Sequence, residues 1–281
     1  DEKYNEMAIQ ERSEFGYVNI LDPATVPSRP VGTRFRVNLL LGFLVGLPLG
    51  VGIVFVWAFL FVRVRTPEDL KRHGFFPLSS ISLMDREIKK IKQENKFRAA
   101  TSSLDLHLVA YYRPMGPIAE SYRHLRTNLQ IRLPETQTQC VVVTSTISGE
   151  GKTTTACNLA ISLAQAGKKV LLVNADMRRP SIHHVFALQN EKGLASLLAG
   201  TANFEEVLQR EVLENLDILD SGEAPGNPSE LLGSKEMKEV IGLMKKKYDF
   251  VLFDAPPVLA VPDTTVLATE TDGVIIVASA G

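Results

Sequence analysis

The chain has 281 residues, of which 45% are hydrophobic and 22% are charged, so it is long enough for one globular domain and a smaller segment. Its 31 basic and 32 acidic residues leave a formal net charge of −1, which argues against a nucleic-acid-binding protein. The two cysteines exclude a disulfide framework, and Cys140 and Cys157 are expected to be buried in a reduced, cytosolic domain. The histidines lack metal-ligand spacing and are interpreted as surface or capping residues. Because the sequence starts at Asp1 and stops just after a predicted strand, we expect both ends to lie within a longer protein.

An uncharged segment near the start predicts a transmembrane helix within residues 37–62. Its 24 residues from Leu39 to Val62 would form a helix roughly 36 Å long, enough to cross a hydrocarbon core of about 30 Å. A signal peptide is disfavoured because the segment is too long and has no small-residue cleavage site. Gly42, Gly46 and Gly50 recur at four-residue spacing, which is typical either of a helix-packing face or simply of glycine-rich membrane helices.

Residues 63–115 are interpreted as a juxtamembrane segment and linker. A threonine cap at Thr66, followed by proline and acidic residues, predicts a short helix that ends at Gly74. The polar, lysine-rich composition of residues 84–105 favours a mobile linker.

Residues 116–281 are interpreted as the main domain, beginning with a helix from Pro117 to Arg132. This helix carries a charged stripe at three-residue spacing, formed by Glu120, Arg123 and Arg126. Such a stripe is typical of a solvated helix face or of an interface.

The strongest motif is a phosphate-binding loop between the strand 141–143 and a helix that continues to Ala164. Strand, glycine loop and helix N-terminus bring backbone N–H groups and a positive helix dipole to one point. Lys152 supplies a charge for phosphate oxygens, and the Thr153 hydroxyl is placed to bind Mg²⁺. Thr146 occupies the position of the first glycine of the usual pattern. The predicted nucleotide-binding residues are Ser148, Gly149, Glu150, Gly151, Lys152, Thr153 and Thr154.

Apolar strands alternate with helices through the rest of the domain, which predicts an α/β fold of the P-loop NTPase type with a mostly parallel, doubly wound sheet. The predicted strands are 170–173, 216–219, 250–253 and 273–277, and the predicted helices are 193–198, 204–208 and 235–247. Asp176 and Asp254 follow two of these strands, so both should lie with Thr153 at the carboxyl edge of the sheet. A hydroxyl and two carboxylates at that edge predict a site for Mg²⁺ and ATP or ADP.

These residues resemble the Walker A, Walker A′ and Walker B motifs of bacterial tyrosine kinases. The matching segments are 145–154, Asn174-Ala175-Asp176-Met177-Arg178-Arg179-Pro180 and Asp254-Ala255-Pro256-Pro257; Asn227-Pro228-Ser229-Glu230-Leu231-Leu232 is similar to the same family. The charged stripe is similar to the family's E-x-x-R-x-x-R oligomerisation motif, which favours the interface interpretation. The membrane segment and its lead-in resemble the end of a polysaccharide co-polymerase module that precedes such kinases.

The resemblance implies an ATP-dependent protein-tyrosine autokinase that regulates polymerisation or export of capsular or exo-polysaccharide through ring assembly. It implies a homo-oligomeric ring, a neighbouring subunit's tyrosine-rich tail, the polysaccharide machinery, a cognate tyrosine phosphatase and membrane lipid as partners. The implied catalytic residues are Lys152, Asp176, Asp254 and the residue at position 174, and the implied metal ligands are Thr153, Asp176 and Asp254. Since ATP is cytosolic, the kinase domain should lie on the cytoplasmic side of the bacterial inner membrane and residues 1–36 outside.

The chain departs from the family pattern at position 174, where Asn174 replaces the first acid of the second motif. An amide cannot accept a tyrosine proton, so if this position is the base, the chemical step should slow by about 10²- to 10⁴-fold. None of the six tyrosines forms a terminal cluster. Two alternatives therefore stay open: a kinase-inactive, nucleotide-gated scaffold that controls polysaccharide chain length, and a ParA/MinD-like ATPase switch.

Overall fold

The computed structural model describes residues 34–60, 67–72, 74–98, 103–133 and 138–279. The chain divides into two units, residues 1–62 and 63–281. The predictions for residues 1–33 lie outside the described residues, and the boundaries proposed between the domains stay predictions.

The first unit contains one long helix, α1 (Phe35–Leu60). It begins four residues before the uncharged segment, and its described side chains from Phe35 to Trp57 are exposed. The stretch Phe35–Trp57 has a mean hydropathy of 2.6 and is long and apolar enough to cross a membrane. An exposed helix with this composition is compatible with a membrane anchor.

The second unit contains a six-stranded sheet with helices on both faces. Within the described residues of this unit, four helices precede the first strand: α2 (Pro67–Arg72), α3 (Asp85–Arg98), α4 (Val109–Tyr112) and α5 (Pro117–Arg132). The strands are β1 (Gln139–Ser145), β2 (Val170–Asn174), β3 (Leu208–Leu213), β4 (Leu216–Leu219), β5 (Phe250–Asp254) and β6 (Gly273–Val277). The remaining helices are α6 (Lys152–Ala164), α7 (Ile182–Phe186), α8 (Leu194–Leu198), α9 (Phe204–Val207), α10 (Pro228–Leu232), α11 (Lys235–Lys245) and α12 (Asp263–Ala268).

The strands lie in the order β3-β4-β2-β5-β1-β6. All pairs from β4 to β6 are parallel, and β3 pairs antiparallel with β4 at one edge. The predicted P-loop NTPase-like fold with a mostly parallel sheet is therefore confirmed. Because β1, β5 and β2 are neighbours, the residues that follow their carboxyl ends lie close together.

Alternate residues of each buried strand face two separate cores. Val141 and Val143 pack under α4, α5 and α6, while Cys140 and Val142 pack on the opposite face with α8 and α11. Both faces are dry, which explains why the central strands are continuous apolar runs. Cys140 and Cys157 are both buried and free, as predicted.

The structure corrects one prediction and adds one strand that was not predicted. Residues 84–105 were expected to form a mobile linker, but most of them form α3, where Ile91 is buried in the core and the Glu87 carboxylate pairs with the Arg113 guanidinium at 2.9 Å. The sequence also gave no indication of strand β3, whose residues 208–213 are half-exposed and include charged side chains. Both elements are polar in composition and are fixed by tertiary contacts that periodicity does not reveal.

Candidate active site

The phosphate loop connects β1 to α6 through two left-handed glycines. Gly149 has φ 93° and Gly151 has φ 88°, a region that side chains with a Cβ rarely adopt. Gly151 caps α6, so that Lys152 and Thr153 begin the helix. Ser148 and Gly149 are exposed, whereas Gly151 to Thr154 are half-buried at the base of the loop. The predicted loop geometry is thus present.

A carboxylate holds the first half of this loop. Glu150 Oε2 accepts hydrogen bonds from the backbone N–H groups of Thr146 at 2.8 Å and Ile147 at 3.0 Å, and from Thr146 Oγ1 at 2.6 Å. Burial alone would raise the pKa of Glu150, but these hydrogen bonds outweigh it and lower the pKa. Thr146 stands where the usual pattern has glycine, and its hydroxyl makes a hydrogen bond to Glu150 that a glycine could not make.

Lys152, Thr153, Asp176 and Asp254 meet at the carboxyl ends of β1, β2 and β5. Lys152 Nζ lies 2.9 Å from Asp176 Oδ2 and 3.5 Å from Asp254 Oδ1. Thr153 Oγ1 donates a hydrogen bond of 2.6 Å to Asp254 Oδ2. Ser181 Oγ lies 3.3 Å from the same Thr153 hydroxyl. The structure brings all four predicted residues together and adds Ser181, which sequence reasoning missed.

The electrostatics of this cluster follow from its burial. Asp254 is fully buried, and burial raises its pKa to about 6, although Lys152 and Thr153 act in the opposite direction. Burial would lower the pKa of Lys152, but the carboxylates of Asp254 and Asp176 outweigh it and raise the pKa. The ammonium thus bridges two carboxylates in a site with little access to water.

Asn174 ends β2 and is the register partner of Asp254 on β5. Its Nδ2 donates a hydrogen bond of 2.8 Å to Asp220 Oδ1. Asp220 follows the last residue of β4, is fully buried, and also faces His183 Nδ1 at 3.7 Å. Sequence reasoning missed Asp220, although the rule that identified Asp176 and Asp254, an acid directly after an apolar strand, applies to it equally. His183 had been interpreted as a surface or capping residue; the structure places it half-buried beside this acid and not on the surface.

A second polar network connects two segments of the family-like pattern. Arg178 donates to both carboxylate oxygens of Asp263, at 2.9 Å from Nε and 3.2 Å from Nη2. Ser229, on α10, donates to the same carboxylate and lies 3.2 Å from Arg178 Nη2. This network ties the segment after β2 to α10 and α12.

The charged stripe on α5 makes contacts within the chain. Arg123 contacts the carboxylate of Glu120 and the carbonyl oxygen of Pro114. Arg126 Nη1 donates a hydrogen bond of 2.6 Å to the carbonyl oxygen of Ser162 on α6. Glu120 is exposed, and both arginines are half-buried. The stripe is exposed at Glu120 and contacts α6 through Arg126. Its role between subunits stays a prediction.

The chain is similar in sequence to a family profile and to several tyrosine-protein kinases. The family profile described as an AAA domain matches residues 138–281. The tyrosine-protein kinase YwqD of Bacillus subtilis (strain 168) is 43% identical over 180 residues, covering 64% of this chain and 76% of the relative. The tyrosine-protein kinase etk of Escherichia coli (strain K12) is 33% identical over 285 residues, covering 99% of this chain. The chain spans only 39% of that longer relative.

Solved structures agree with the sequence relatives. The kinase domain of the Escherichia coli tyrosine kinase ETK superimposes with a TM-score of 0.69 at 31% identity, over 77% of this chain and 82% of that domain. The chimerical protein CapA2B2 superimposes with a TM-score of 0.65 at 34% identity, over 75% of this chain and 84% of that protein.

Proposed function

Because the chain belongs to the family of bacterial tyrosine kinases, we propose that it transfers the γ-phosphoryl group of ATP to tyrosine residues of its own kind. The observation that carries this proposal is the convergence of Lys152, Thr153, Asp176 and Asp254 at one point of the sheet edge. Phosphoryl transfer needs a phosphate cradle, cations for the developing charge and carboxylates that hold the metal. The loop and its four neighbours supply donors and acceptors of these types.

The donor set fits Mg²⁺. Thr153 Oγ1 and the carboxylates of Asp254 and Asp176 offer only oxygen atoms, the ligand type that Mg²⁺ prefers. These three side chains surround the Lys152 ammonium, which shows that the space between the two carboxylates accepts a positive charge. When bound, the metal supplies charge neutralisation for the β- and γ-phosphates of ATP. Lys152 then contacts phosphate oxygens, and the half-buried loop base excludes water.

The remaining roles extend beyond the described domain. We propose that α1 anchors the chain in the bacterial inner membrane, with the nucleotide site in the cytoplasm, where ATP is available. The chain would regulate polymerisation or export of capsular or exo-polysaccharide through ring assembly that uses the α5 stripe. The tyrosine acceptor would come from a neighbouring subunit, and a cognate phosphatase would reverse the reaction.

One observation favours a second candidate function. Asn174 lacks the proton-accepting carboxylate that the family pattern has at this position. A chain that binds nucleotide without transferring phosphate would act as a nucleotide-gated scaffold for polysaccharide chain length.

Incubation of the detergent-purified chain with Mg-ATP, followed by detection of phosphotyrosine, separates the two functions. A kinase yields phosphotyrosine that Lys152→Met abolishes. The acceptor should be supplied both by the chain itself and by an added tyrosine-rich peptide. Absence of phosphotyrosine on both acceptors, together with nucleotide-dependent oligomer mass, would refute the kinase and support the scaffold.

A further inference from the structure

Three buried polar atoms, at the carboxyl ends of β2 and β4 and on α7, have no hydrogen-bond partner among the described residues. They are Asn174 Oδ1, Asp220 Oδ2 and His183 Nδ1, of which the last two face each other at 3.7 Å, beyond hydrogen-bond distance. Unpartnered buried polar atoms cost free energy, so such a cluster in a folded protein calls for a functional explanation. The cluster lies beside the site of the proposed reaction, because Asn174 is the register partner of Asp254.

The sheet register explains how Asn174 and Asp220 meet. Val173 on β2 pairs with Leu219 on β4, so the next residues along each strand, Asn174 and Asp220, lie side by side. Both side chains are fully buried, and the distance between Nδ2 and Oδ1 is 2.8 Å. Asp220 Oδ1 also accepts a hydrogen bond from the Ser221 N–H at 2.7 Å, which fixes the carboxylate.

The chemistry of the two groups determines the orientation of the amide. Asp220 Oδ1 accepts hydrogen bonds from the Ser221 N–H and from Asn174 Nδ2, so Asn174 presents its NH₂ group to Asp220. Its Oδ1 is then turned away from Asp220 and remains a free acceptor. Without Asp220 the amide could reverse, and Oδ1 would be replaced by a donor. The buried acid therefore sets which atom of Asn174 is available to a ligand.

We propose that Asn174 and Asp220 divide one acidic role between neighbouring strands: Asn174 Oδ1 accepts a hydrogen bond from a water molecule on the bound Mg²⁺, while Asp220 carries the negative charge and fixes the amide. Asp220 is a positioning residue, because it acts through Asn174. The inference rests on the proposed Mg-nucleotide site and deepens it. It implies that Asn174 is part of a working site and is not simply a lost acid.

The pairing also predicts what happens when an acid is placed at position 174. In Asn174→Asp, two buried carboxylates would lie within hydrogen-bonding distance of each other, and their repulsion would destabilise the fold. In Asn174→Asp/Asp220→Asn, the charge and the amide exchange strands, and the pair is complementary again. A merely structural pair would recover the unfolding temperature in the same way, so it is recovery of the Mg²⁺-dependent gain in ADP affinity that identifies a positioning role.

The test compares both single variants, the exchanged pair and Asp217→Asn as a matched control. Asp217 lies on β4, which Asp220 follows, but its carboxylate contacts the Tyr248 hydroxyl and the Glu211 N–H instead of Asn174. For each protein the thermal unfolding temperature, the ADP affinity with Mg²⁺ and with EDTA, and phosphotyrosine formation are measured.

We expect Asp220→Asn to fold and to bind ADP in EDTA like the wild type, but to lose about 10-fold or more of the gain in affinity that Mg²⁺ provides. Asn174→Asp should unfold at a lower temperature, and the exchanged pair should recover both the unfolding temperature and the Mg²⁺ gain. Asp217→Asn should keep that gain.

The proposal is overturned if Asp220→Asn keeps the full Mg²⁺ gain, if the exchanged pair shows only the sum of the single effects, or if Asn174→Asp alone binds Mg-ADP better at unchanged stability. It is equally overturned if Mg²⁺ gives the wild type no gain in ADP affinity. If the wild type shows the Mg²⁺ gain and the exchanged pair shows the rescue, but neither the chain nor the added peptide is phosphorylated, the proposed kinase is refuted and this inference is supported.

Discussion

Replacing Lys152 with methionine should destabilise the chain even when no nucleotide is present. The Lys152 side chain is only 13% exposed and its ammonium contacts two carboxylates, of which Asp254 is fully buried. Removing one partner of a buried ion pair typically costs about 3–5 kcal/mol, because the remaining charge stays buried and unpaired. We expect the lower value, about 3 kcal/mol, since Asp254, with a pKa raised to about 6, can take up a proton more easily than an ordinary carboxylate.

For a domain of this size, a loss of about 3 kcal/mol lowers the unfolding temperature by about 6–12 °C. The assay is thermal unfolding of the nucleotide-free chain at pH 7, with and without Mg²⁺. Mg²⁺ should stabilise Lys152→Met more than the wild type, because the ion takes the place of the ammonium between the carboxylates. Lys168→Met, an exposed position after α6, is the matched control. Equal unfolding temperatures for the two variants would refute the reasoning.

Three further predictions follow from the site. Glu150→Gln weakens the charge-assisted hydrogen bonds that hold the loop and should reduce ADP affinity about fivefold in calorimetry; an unchanged affinity would contradict the loop's dependence on this carboxylate. Burial would raise the pKa of Asp263, but hydrogen bonds from Arg178 and Ser229 outweigh it and lower the pKa. Asp263→Asn should therefore remove about 1 kcal/mol of stability, a value reduced because solvent partly screens Arg178. This loss should be constant above about pH 4 and should vanish as the pH falls below that value. Chemical unfolding at several pH values measures this, and a loss that grows on acidification would have the wrong sign. Glu120→Lys should lower the oligomer mass in light scattering if the α5 stripe is an interface, and an unchanged mass would argue that it is a solvated face.

The structure shows which residue of the charged stripe on α5 is suited to a test of oligomerisation. Arg126→Ala would be a less clear test of oligomerisation than a variant at Glu120. Because Arg126 donates to the Ser162 carbonyl oxygen, removing it would disturb the packing of α5 on α6 within one chain. Glu120 is exposed and is therefore the better position for a charge reversal.

The central strands were predictable because they are buried on both faces. Strands β1, β2 and β5 are short apolar runs followed by a loop glycine or an acid, and that pattern depends only on neighbouring residues. The antiparallel strand β3 lacks this signal, since one edge of the sheet and much of its surface face solvent. Helix α3 was missed because the burial of Ile91 in the core and the Glu87–Arg113 pair depend on partners distant in sequence.

The candidate site was also predictable only in part. Lys152, Thr153, Asp176 and Asp254 could be identified because carboxyl ends of parallel strands share one edge of a sheet. Asp220 follows an apolar strand in the same way, but its pairing with Asn174 required the order of the strands, and Ser181 required the path of the chain after β2. The pairing of Asn174 with Asp220 changes the meaning of Asn174, since a departure from the family pattern becomes one half of a complementary pair.

The most direct test of the nucleotide site is calorimetric titration of ADP into the detergent-purified chain, with Mg²⁺ and with EDTA, beside Thr153→Ala. The site described above predicts that Mg²⁺ tightens ADP binding to the wild type, and that Thr153→Ala, which removes the hydroxyl bonded to Asp254, loses most of that gain while still binding ADP in EDTA. Equal ADP affinity in Mg²⁺ and EDTA for the wild type would contradict the account.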